Sequence, residues 1–170
     1  DALSGIKKIS QLKIDHPARV YVEKRRIPKS SHYKLFYAPK FYKWVNTLVP
    51  DKFPNILKDE PRLVIPFIDE DQRLIGFQGR AFGKSQPKYI TIMLDEDAPK
   101  IFGLDSIDWN KPIVIVEGPI DSLFLDNAIA MAGSDSARFT ADNIIYCWDN
   151  EPRSQENIKR MERAIEEGKS

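Results

Sequence analysis

The sequence predicts an α/β protein in two parts: a small basic α+β region of short helices and β-hairpins, then an α/β region with a central, mainly parallel sheet. Three apolar runs between residues 62 and 94 are separated by "EDQ" and "GKSQP", which indicates an antiparallel meander. Beyond Lys111, continuous apolar runs alternate with helical patterns, as in parallel sheets that helices cover on both faces. We therefore divide the chain into residues 1–110 and residues 111–170.

The first part begins with short elements that prolines separate. Pro17 suits the first turn of a helix, and Pro28 ends the helical pattern. The run "KLFYAP" predicts a short strand, and residues 51–61 hold enough turn-forming residues to predict a loop. A second helix is predicted from an apolar face that Pro50 closes; its members are Phe41, Trp44, Val45 and Leu48. We expect this face and Tyr42 to lie in the core rather than to stack on bases.

The second part contains three predicted strands, at residues 113–116, 129–132 and 143–149. A helix is predicted over residues 120–127, between the first two strands, and another after the third strand. The apolar face of this last helix consists of Ile158, Met161, Ala164 and Ile165.

The composition indicates a globular protein of the cytoplasm. Hydrophobic residues make up 42% and charged residues 30% of the chain, which excludes a disordered segment. No apolar run is long enough to cross a membrane, and the N-terminus has no signal-peptide pattern. The single cysteine, Cys147, excludes an internal disulfide, and with only His16 and His32 besides it argues against a zinc cluster. The sequence lacks an initial Met, so we expect a fragment of a longer chain.

The net charge of +1 conceals an uneven distribution of charge. Residues 1–50 hold 11 Lys and Arg against 3 Asp and Glu, whereas residues 51–170 hold 15 against 22. This pattern suggests a polyanion partner for the basic part and metal-binding carboxylates in the acidic part. The alternative is surface charge that is simply scattered unevenly.

Two of the predicted strands end on acidic residues. Glu117 follows "IVIV", and Asp149 follows "NIIYCW", with Glu151 two residues later. Ligands of open α/β sheets bind outside the carboxyl ends of the strands. Residues two apart in an extended chain project to the same side, and Asp121 lies one helical turn past Glu117. We therefore expect these four carboxylates to converge at one edge of the sheet.

Oxygen donors without histidine or cysteine favour Mg²⁺ or Mn²⁺ as the bound metal. Converging carboxylates repel one another, and a cation would remove this repulsion. The alternative is that each acid only stabilises the positive end of a helix, as Glu117 could do before Gly118 and Pro119. A metal accounts better for two strand ends and a D-x-E pair together.

The same motifs resemble the Toprim domain. "VIVEGPIDSL", then an apolar strand and "DNE", is similar to its Glu-Gly after one strand and its acidic pair after a later one, with Glu151 in place of the usual second Asp. Toprim folds serve primases, topoisomerases and nucleases, so the motif alone does not choose a function. The flanking sequences "YVEKRRIP", "YKLFYAP", "RLVIPFIDEDQRLIGFQGRAF", "PKYI" and "KIFGLD" resemble the bacterial-type primase core. Five stretches resemble in particular the primases of T-even-type bacteriophages: "EPRLVIP", "FQGRA", "KYITI", "EGPIDSLF" and "DNEPR". This resemblance covers roughly residues 10–170.

The resemblance implies the RNA-polymerase core of a phage-type DNA primase, which copies a single-stranded DNA template into short RNA primers from ribonucleoside triphosphates. Glu117 would be the central catalytic acid, and Glu117, Asp121, Asp149 and Glu151 would hold Mg²⁺ or Mn²⁺. A replicative helicase is the expected protein partner, no membrane is expected, and the location would be the cytoplasm of the bacterial host.

The resemblance also implies a basic ridge that holds the phosphates of a nucleotide or of the template, formed by Arg80 and Lys88 with Lys100 as a further candidate. Isolated basic residues at strand ends are otherwise ordinary exposed charges. Arg25 and Arg26 either contact DNA or are solvated helix charges. Glycines near the ridge favour the close approach of a ligand backbone; they are Gly76, Gly79 and Gly83.

Two alternatives to a primase remain open. A Toprim nuclease would use the same metals, and a primase-like module with an inactive site would bind only DNA or a helicase. The "FQGR" and "PKY" elements argue against the nuclease, and the retained acids argue against the inactive module. From the few Cys and His residues, we expect the given residues to lack the zinc-binding module that precedes this core in the family, and they end at Ser170. A further acidic strand follows in the family, so we expect a truncated Toprim domain.

Overall fold

The computed structural model describes residues 1–133 and 143–147 and forms two compact units. The first unit comprises Asp1–Phe67 and Arg73–Ala98, and the second comprises Ile68–Gln72 and the chain from Pro99 onward. The units divide ahead of residue 110, where the sequence prediction placed the boundary, because a short strand at Ile101–Phe102 pairs within the second sheet.

The first unit is built on a five-stranded sheet with the strand order β1-β2-β3-β4-β5. Its strands are β1 (Lys7–Lys8), β2 (Phe36–Ala38), β3 (Arg62–Ile68), β4 (Leu74–Ala81) and β5 (Tyr89–Met93). The predicted meander is confirmed, since its three runs are the neighbouring strands β3, β4 and β5. The antiparallel register of β4 and β5 places Arg80 opposite Tyr89. Strand β1 was not predicted, because two residues are too few to show a period.

Helix α1 (Pro17–Lys24) lies between the prolines, as predicted. It ends in a Schellman motif, in which the backbone N–H groups of Arg26 and Ile27 donate to the carbonyls of Glu23 and Val22 at 2.9 and 3.2 Å. The motif holds Arg26 at a φ of 58°, in the left-handed region that glycine usually occupies. The end of the helix therefore fixes an arginine in a conformation that is unfavourable for its own backbone.

Helix α2 (Phe41–Leu48) supplies the predicted apolar face of the first unit. The carboxylate of Asp59 accepts hydrogen bonds from the backbone N–H groups of Tyr42 and Lys43, both at 3.0 Å, and so satisfies the first turn. The core prediction is confirmed, with Tyr42 half-buried beside it. The core consists of Phe36, Ala38, Phe41, Trp44, Val45, Val64, Phe77 and Ile92.

The second unit contains a four-stranded sheet with the strand order β6-β8-β7-β9. Its strands are β6 (Ile101–Phe102), β7 (Ile113–Val116), β8 (Ala128–Met131) and β9 (Ile144–Tyr146). Strand β7 is parallel to both β8 and β9, and β6 is antiparallel to β8, so the predicted mainly parallel sheet is confirmed. Its core consists of Ile101, Leu104, Ile113, Ile115, Ile129, Met131 and Ile144.

Helix α3 (Pro119–Ser122) is a single turn, so the predicted helix over residues 120–127 is wrong in length. Phe124 and Leu125 are 48% and 43% exposed, so this segment lacks the buried face that would stabilise a longer helix. Asn127 then turns the chain with a φ of 48°. The helix predicted after β9 lies outside the described residues.

Short 3₁₀ helices connect the remaining elements, at Ala2–Gly5, Ile9–Gln11, Lys29–Lys34 and Leu104–Ser106. The described part of the chain contains no helix that is long and apolar enough to cross a lipid bilayer.

Candidate functional site

Glu117 and Asp121 lie on a tight turn at the carboxyl end of β7. Glu117 follows the strand directly and is partly buried, and exposed Asp121 lies in the single turn of α3. A Cβ at Gly118 would lie 2.8 Å from Oδ2 of Asp121, so a larger residue there would make this exposed carboxylate move. Pro119 occupies the first helical position, where no N–H is needed. Residues 117–121, which we call the acidic turn, thus bring two carboxylates together within one contiguous segment.

The acidic turn lies beside the strand that leads to the other two predicted acids. Strand β9 runs parallel to β7, and the N–H of Cys147 donates to the carbonyl of Ile115 at 2.8 Å, beyond the last paired residues. Asp149 and Glu151 follow Cys147 in the sequence but lie outside the described residues. Their convergence with Glu117 and Asp121 stays a prediction. Within residues 1–133 and 143–147, no three His, Cys, Asp or Glu side chains are grouped to hold a metal.

Lys100 lies at the same edge of the sheet as the acidic turn. It precedes β6, whose residue Ile101 pairs with Met131 at the carboxyl end of β8. A Cβ at Gly133 would lie 3.8 Å from Cδ of Lys100, so the exposed lysine runs along the segment that follows β8. The sheet thus brings one cation and the acids of β7 to the same edge, and the predicted role of Lys100 remains untested.

The first unit carries a separate cluster in which cationic side chains pack on tyrosine rings. We call it the basic aromatic face, and it consists of Tyr21, Arg25, Arg80, Lys88 and Tyr89. The guanidinium of Arg80 lies 5.3 Å from the ring centre of Tyr21 and 5.5 Å from that of Tyr89. Arg25 lies 5.5 Å from the Tyr21 ring, and Nζ of Lys88 lies 5.9 Å from the Tyr89 ring. Each cation is thus held against an aromatic surface.

Arg80 is not an exposed charge at a strand end. It lies inside β4 and is only 6% exposed. Its Nη1 donates to the carbonyl of Ala81 at 2.7 Å, and its Nε donates to the hydroxyl of Tyr89 at 3.3 Å. The alternative interpretation of Arg80 as a solvated charge is therefore wrong, because the sheet and two rings fix its orientation.

Tyr21 lies on helix α1, and its ring contacts Arg80 on strand β4. Burial raises the pKa of its hydroxyl, although the positive charges of Arg80 and Arg25 act to lower it. The hydroxyl therefore remains protonated at neutral pH, and it accepts a hydrogen bond from Nη1 of Arg25 at 3.1 Å. The Tyr21 ring also meets Phe82 edge-on, with ring centres 5.1 Å apart. The face presents rings and cations together, which is the combination that binds stacked bases and phosphates.

Two of the glycines near this face serve the packing of the protein itself. A Cβ at Gly79 would collide with the ring of Phe41, and one at Gly76 would lie 2.7 Å from both the carbonyl oxygen of Ile92 and Sδ of Met93. The hypothesis that these glycines admit a ligand backbone is therefore wrong. Gly83 alone of the three has open space before it.

No model of a protein family matches the chain. The DNA primase of Enterobacteria phage T4 is 36% identical over 171 residues, which is 98% of this chain and 49% of that protein. The chain is therefore similar to a DNA primase over nearly its whole length. It spans about half the length of the phage primase that it matches.

Solved primase structures share the fold of this chain. The Aquifex aeolicus primase, solved with its zinc-binding and RNA polymerase domains, is 26% identical with a TM-score of 0.63, over 89% of this chain and 46% of that one. A DnaG primase catalytic domain solved with single-stranded DNA is 21% identical with a TM-score of 0.68, over 95% of this chain and 63% of that one. A DNA primase of Synechococcus elongatus is 35% identical over 89 residues, 45% of this chain and 13% of that protein.

Sequence reasoning missed three side chains that shape the basic region of the first unit. Tyr21 is spaced four residues from Arg25, a signal that was available in the sequence. Tyr89 meets Arg80 only through the register of β4 and β5. Arg62 has a fully buried side chain, which its position at the start of an apolar strand does not indicate.

Proposed function

We propose that this chain forms the RNA-polymerase core of a DNA primase, which makes short RNA primers on single-stranded DNA from ribonucleoside triphosphates. The observation that carries the proposal is the acidic turn at the carboxyl end of β7, the central parallel strand of the second unit, in a chain similar to a DNA primase over nearly its whole length. Such strand ends are where α/β sheets bind their ligands.

The reaction would be a nucleotidyl transfer. The 3′-hydroxyl oxygen of the growing primer forms a bond to the α-phosphorus, the bond from that phosphorus to the β-phosphate oxygen breaks, and pyrophosphate leaves. The proton of the hydroxyl passes to a base, for which Glu117 is the candidate because it lies directly at the strand end. Charge develops on the phosphate oxygens and must be neutralised.

The acidic turn fits a divalent cation in the chemistry of its donors. Glu117 and Asp121 offer only oxygen ligands, and the Asp121 carboxylate lies beside Gly118 in the turn. We propose that Asp149 and Glu151 complete the set. Mg²⁺ or Mn²⁺ bound there would activate the hydroxyl and stabilise the charge on the phosphates. A Toprim arrangement of this kind is the one that the sequence resembles.

The basic aromatic face would bind the polyanionic substrates. Lys88 and Arg25 are exposed and can contact phosphates, while the ring of Tyr89, which is 41% exposed, can stack on an unpaired base. Rings suit a single strand, whose bases are open, better than a duplex. The DnaG domain with a similar fold was solved with single-stranded DNA, which supports this substrate. Lys100 would add a cation at the acidic edge, and the role of Arg26 is weaker because its backbone serves the helix end.

A replicative helicase as partner and the cytoplasm of a bacterial host as location are part of the same proposal. The resemblance to the phage T4 primase supports both.

The decisive experiment is a primer-synthesis assay with labelled ribonucleotides on single-stranded DNA, using the full-length protein. We expect Glu117→Gln to lower the rate about 100-fold or more, because it keeps the size of the side chain and removes its charge. The matched control is Asp126→Asn, an exposed acid that precedes β8 at the opposite edge of the sheet and should keep the wild-type rate. Wild-type synthesis by Glu117→Gln would contradict the assignment, and cleavage of duplex DNA in place of synthesis would favour a Toprim nuclease.

A further inference from the structure

Residues 83–88 form the loop between β4 and β5, and they carry Lys84 and Lys88. Every one of these residues is exposed, and the loop contains no helix or strand. An exposed loop of this kind would ordinarily sample many conformations, and a lysine on it would then be a poorly placed ligand for phosphate. The position of Lys88 therefore depends on what holds the loop.

The side chain of Arg62 holds the loop against the sheet through hydrogen bonds. This side chain is fully buried at the start of β3, and its guanidinium donates only to groups of the protein. Nη2 donates to the carbonyl of Pro87 at 2.7 Å. Nη1 is shared between the carbonyls of Gly79 and Lys88, at 3.0 and 3.3 Å. One guanidinium thus connects the loop to the adjacent strand β4.

Glu60 adds a second set of contacts to the same loop. Its Oε1 lies 3.1 Å from Nη2 of Arg62 and accepts a hydrogen bond from the hydroxyl of Tyr42 at 2.7 Å. The side chain of Ser85 also hydrogen-bonds to this carboxylate. The Glu60–Arg62 pair therefore contacts the loop at three of its residues: Ser85, Pro87 and Lys88.

A buried ion pair fills the interior less favourably than apolar side chains do. Removing a guanidinium from water is costly, and an apolar side chain of similar volume often replaces a buried ion pair without loss of stability. Nε of Arg62 is buried with no acceptor in the described part of the chain, which adds to the cost. Packing alone is thus a poor explanation for Arg62, whereas its fork of donors is suited to fixing several carbonyls at once.

We propose that the Glu60–Arg62 pair is a positioning device for the polyanion-binding residues: it fixes residues 83–88 so that Lys88 keeps its place beside Tyr89 and Arg80. The proposal rests on the proposed function, in which Lys88 contacts phosphate. Arg62 and Glu60 touch no substrate themselves. They act through the loop, and Lys88 contributes to binding because its backbone carbonyl is held while its side chain reaches solvent.

The variants for the test are Arg62→Met, which removes every donor, and Arg62→Lys, which keeps the charge but not the fork. Glu60→Gln is a milder variant that keeps the shape and an acceptor oxygen, should Arg62→Met fail to fold. The matched control is Arg19→Met, which breaks the other arginine–glutamate pair of the first unit, Arg19 with Glu23 at 3.4 Å, without touching the loop. Thermal unfolding of each full-length variant verifies that it is folded.

The first readout is trypsin cleavage after Lys84 and Lys88, identified by mass spectrometry. We expect cleavage at these two sites to be at least about fivefold faster in the folded Arg62 variants, because proteolysis follows the population of the open loop. Arg19→Met should leave these rates unchanged. Unchanged rates in both Arg62 variants would overturn the proposal, since the loop would then be held by something else.

The second readout is the affinity for labelled single-stranded DNA, in a double-mutant cycle with Lys88→Ala. We expect Arg62→Lys to weaken binding about threefold to tenfold in the wild-type background and to have no further effect when Lys88 is already Ala. An equal loss in both backgrounds would overturn the proposal, because Arg62 would then act elsewhere. If Lys88→Ala weakens binding but the Arg62 variants do not, positioning fails while the proposed function stands. If Lys88→Ala itself has no effect, the proposed role of Lys88 fails and the positioning role fails with it.

Discussion

The basic aromatic face and the acidic turn achieve fixed geometry in different ways. In the face, Arg80 is held by residues distant in sequence, with Tyr21 on helix α1 and Tyr89 on the neighbouring strand. In the turn, Glu117 and Asp121 are four residues apart, and Gly118 and Pro119 between them define the path of the chain. The face is thus built by tertiary packing and the turn by local sequence. A single substitution should therefore weaken binding by the face only partly, whereas it should abolish the function of the turn.

The largest effect after loss of catalysis should be on metal binding at the turn. We expect Glu117→Gln to weaken Mn²⁺ binding about tenfold or more, measured by electron paramagnetic resonance of free Mn²⁺, because removing a charged oxygen ligand weakens a hard-cation site. Asp126→Asn is again the control. Equal Mn²⁺ affinity in wild type and Glu117→Gln would contradict metal binding by Glu117, which could then act only as a base.

A smaller effect is expected on the face, where several groups share the binding. Lys88→Ala should weaken binding of single-stranded DNA about threefold to tenfold and reduce the slope of log affinity against log salt by about 0.7, since one phosphate contact is lost. Lys52→Ala, an exposed lysine in the loop that follows α2, is the control for charge alone. If both lysines have the same effect in an anisotropy titration across salt, the face is not a specific site.

The pH dependence of stability tests the hydrogen-bond network of Glu60 and Arg62. Burial acts to raise the pKa of Glu60, but hydrogen bonds from Ser85, Tyr42 and Arg62 outweigh it and hold the pKa below the usual 4.5. A pKa that is lower in the folded than in the unfolded protein stabilises the folded state at pH values above the unfolded pKa. This contribution is lost as the pH falls through the folded pKa. We expect Glu60→Gln to cost about 1–3 kcal/mol at pH 7 and less at pH 3 to 4, by denaturant unfolding. A difference that is constant with pH would contradict a charged Glu60 in the network.

The smallest effect concerns Arg26, at the border of the face. Arg26→Gly should stabilise the protein by about 0.5–1 kcal/mol, since glycine relieves the left-handed strain at the helix end. We expect the affinity for single-stranded DNA to change less than twofold, measured beside Arg25→Ala, which should weaken it more. A large loss of affinity in Arg26→Gly would extend the face to this residue.

The difference between the two regions also explains what the sequence could predict. The acidic turn is predictable because strand β7, its terminal acid and the Gly-Pro pair are contiguous. The basic aromatic face was predicted only as separate cations, since a sequence does not show that Arg80 meets Tyr21 across the unit. Arg62 was missed for the same reason: two of its acceptors lie in a loop more than twenty residues away. The overlong helix after Pro119 was predicted from spacing alone, which does not reveal that Phe124 and Leu125 lack a core to pack on.

The most direct test of the central claim, binding by the face and chemistry by the turn, is single-turnover primer synthesis at saturating single-stranded DNA and nucleotide. Under saturation, Lys88→Ala should approach the wild-type rate, because the lost binding is compensated by concentration. Glu117→Gln should remain about 100-fold slower or worse, because its defect lies in the transition state. Recovery of Glu117→Gln at high substrate, or an equal and unrecovered defect in Lys88→Ala, would contradict this division.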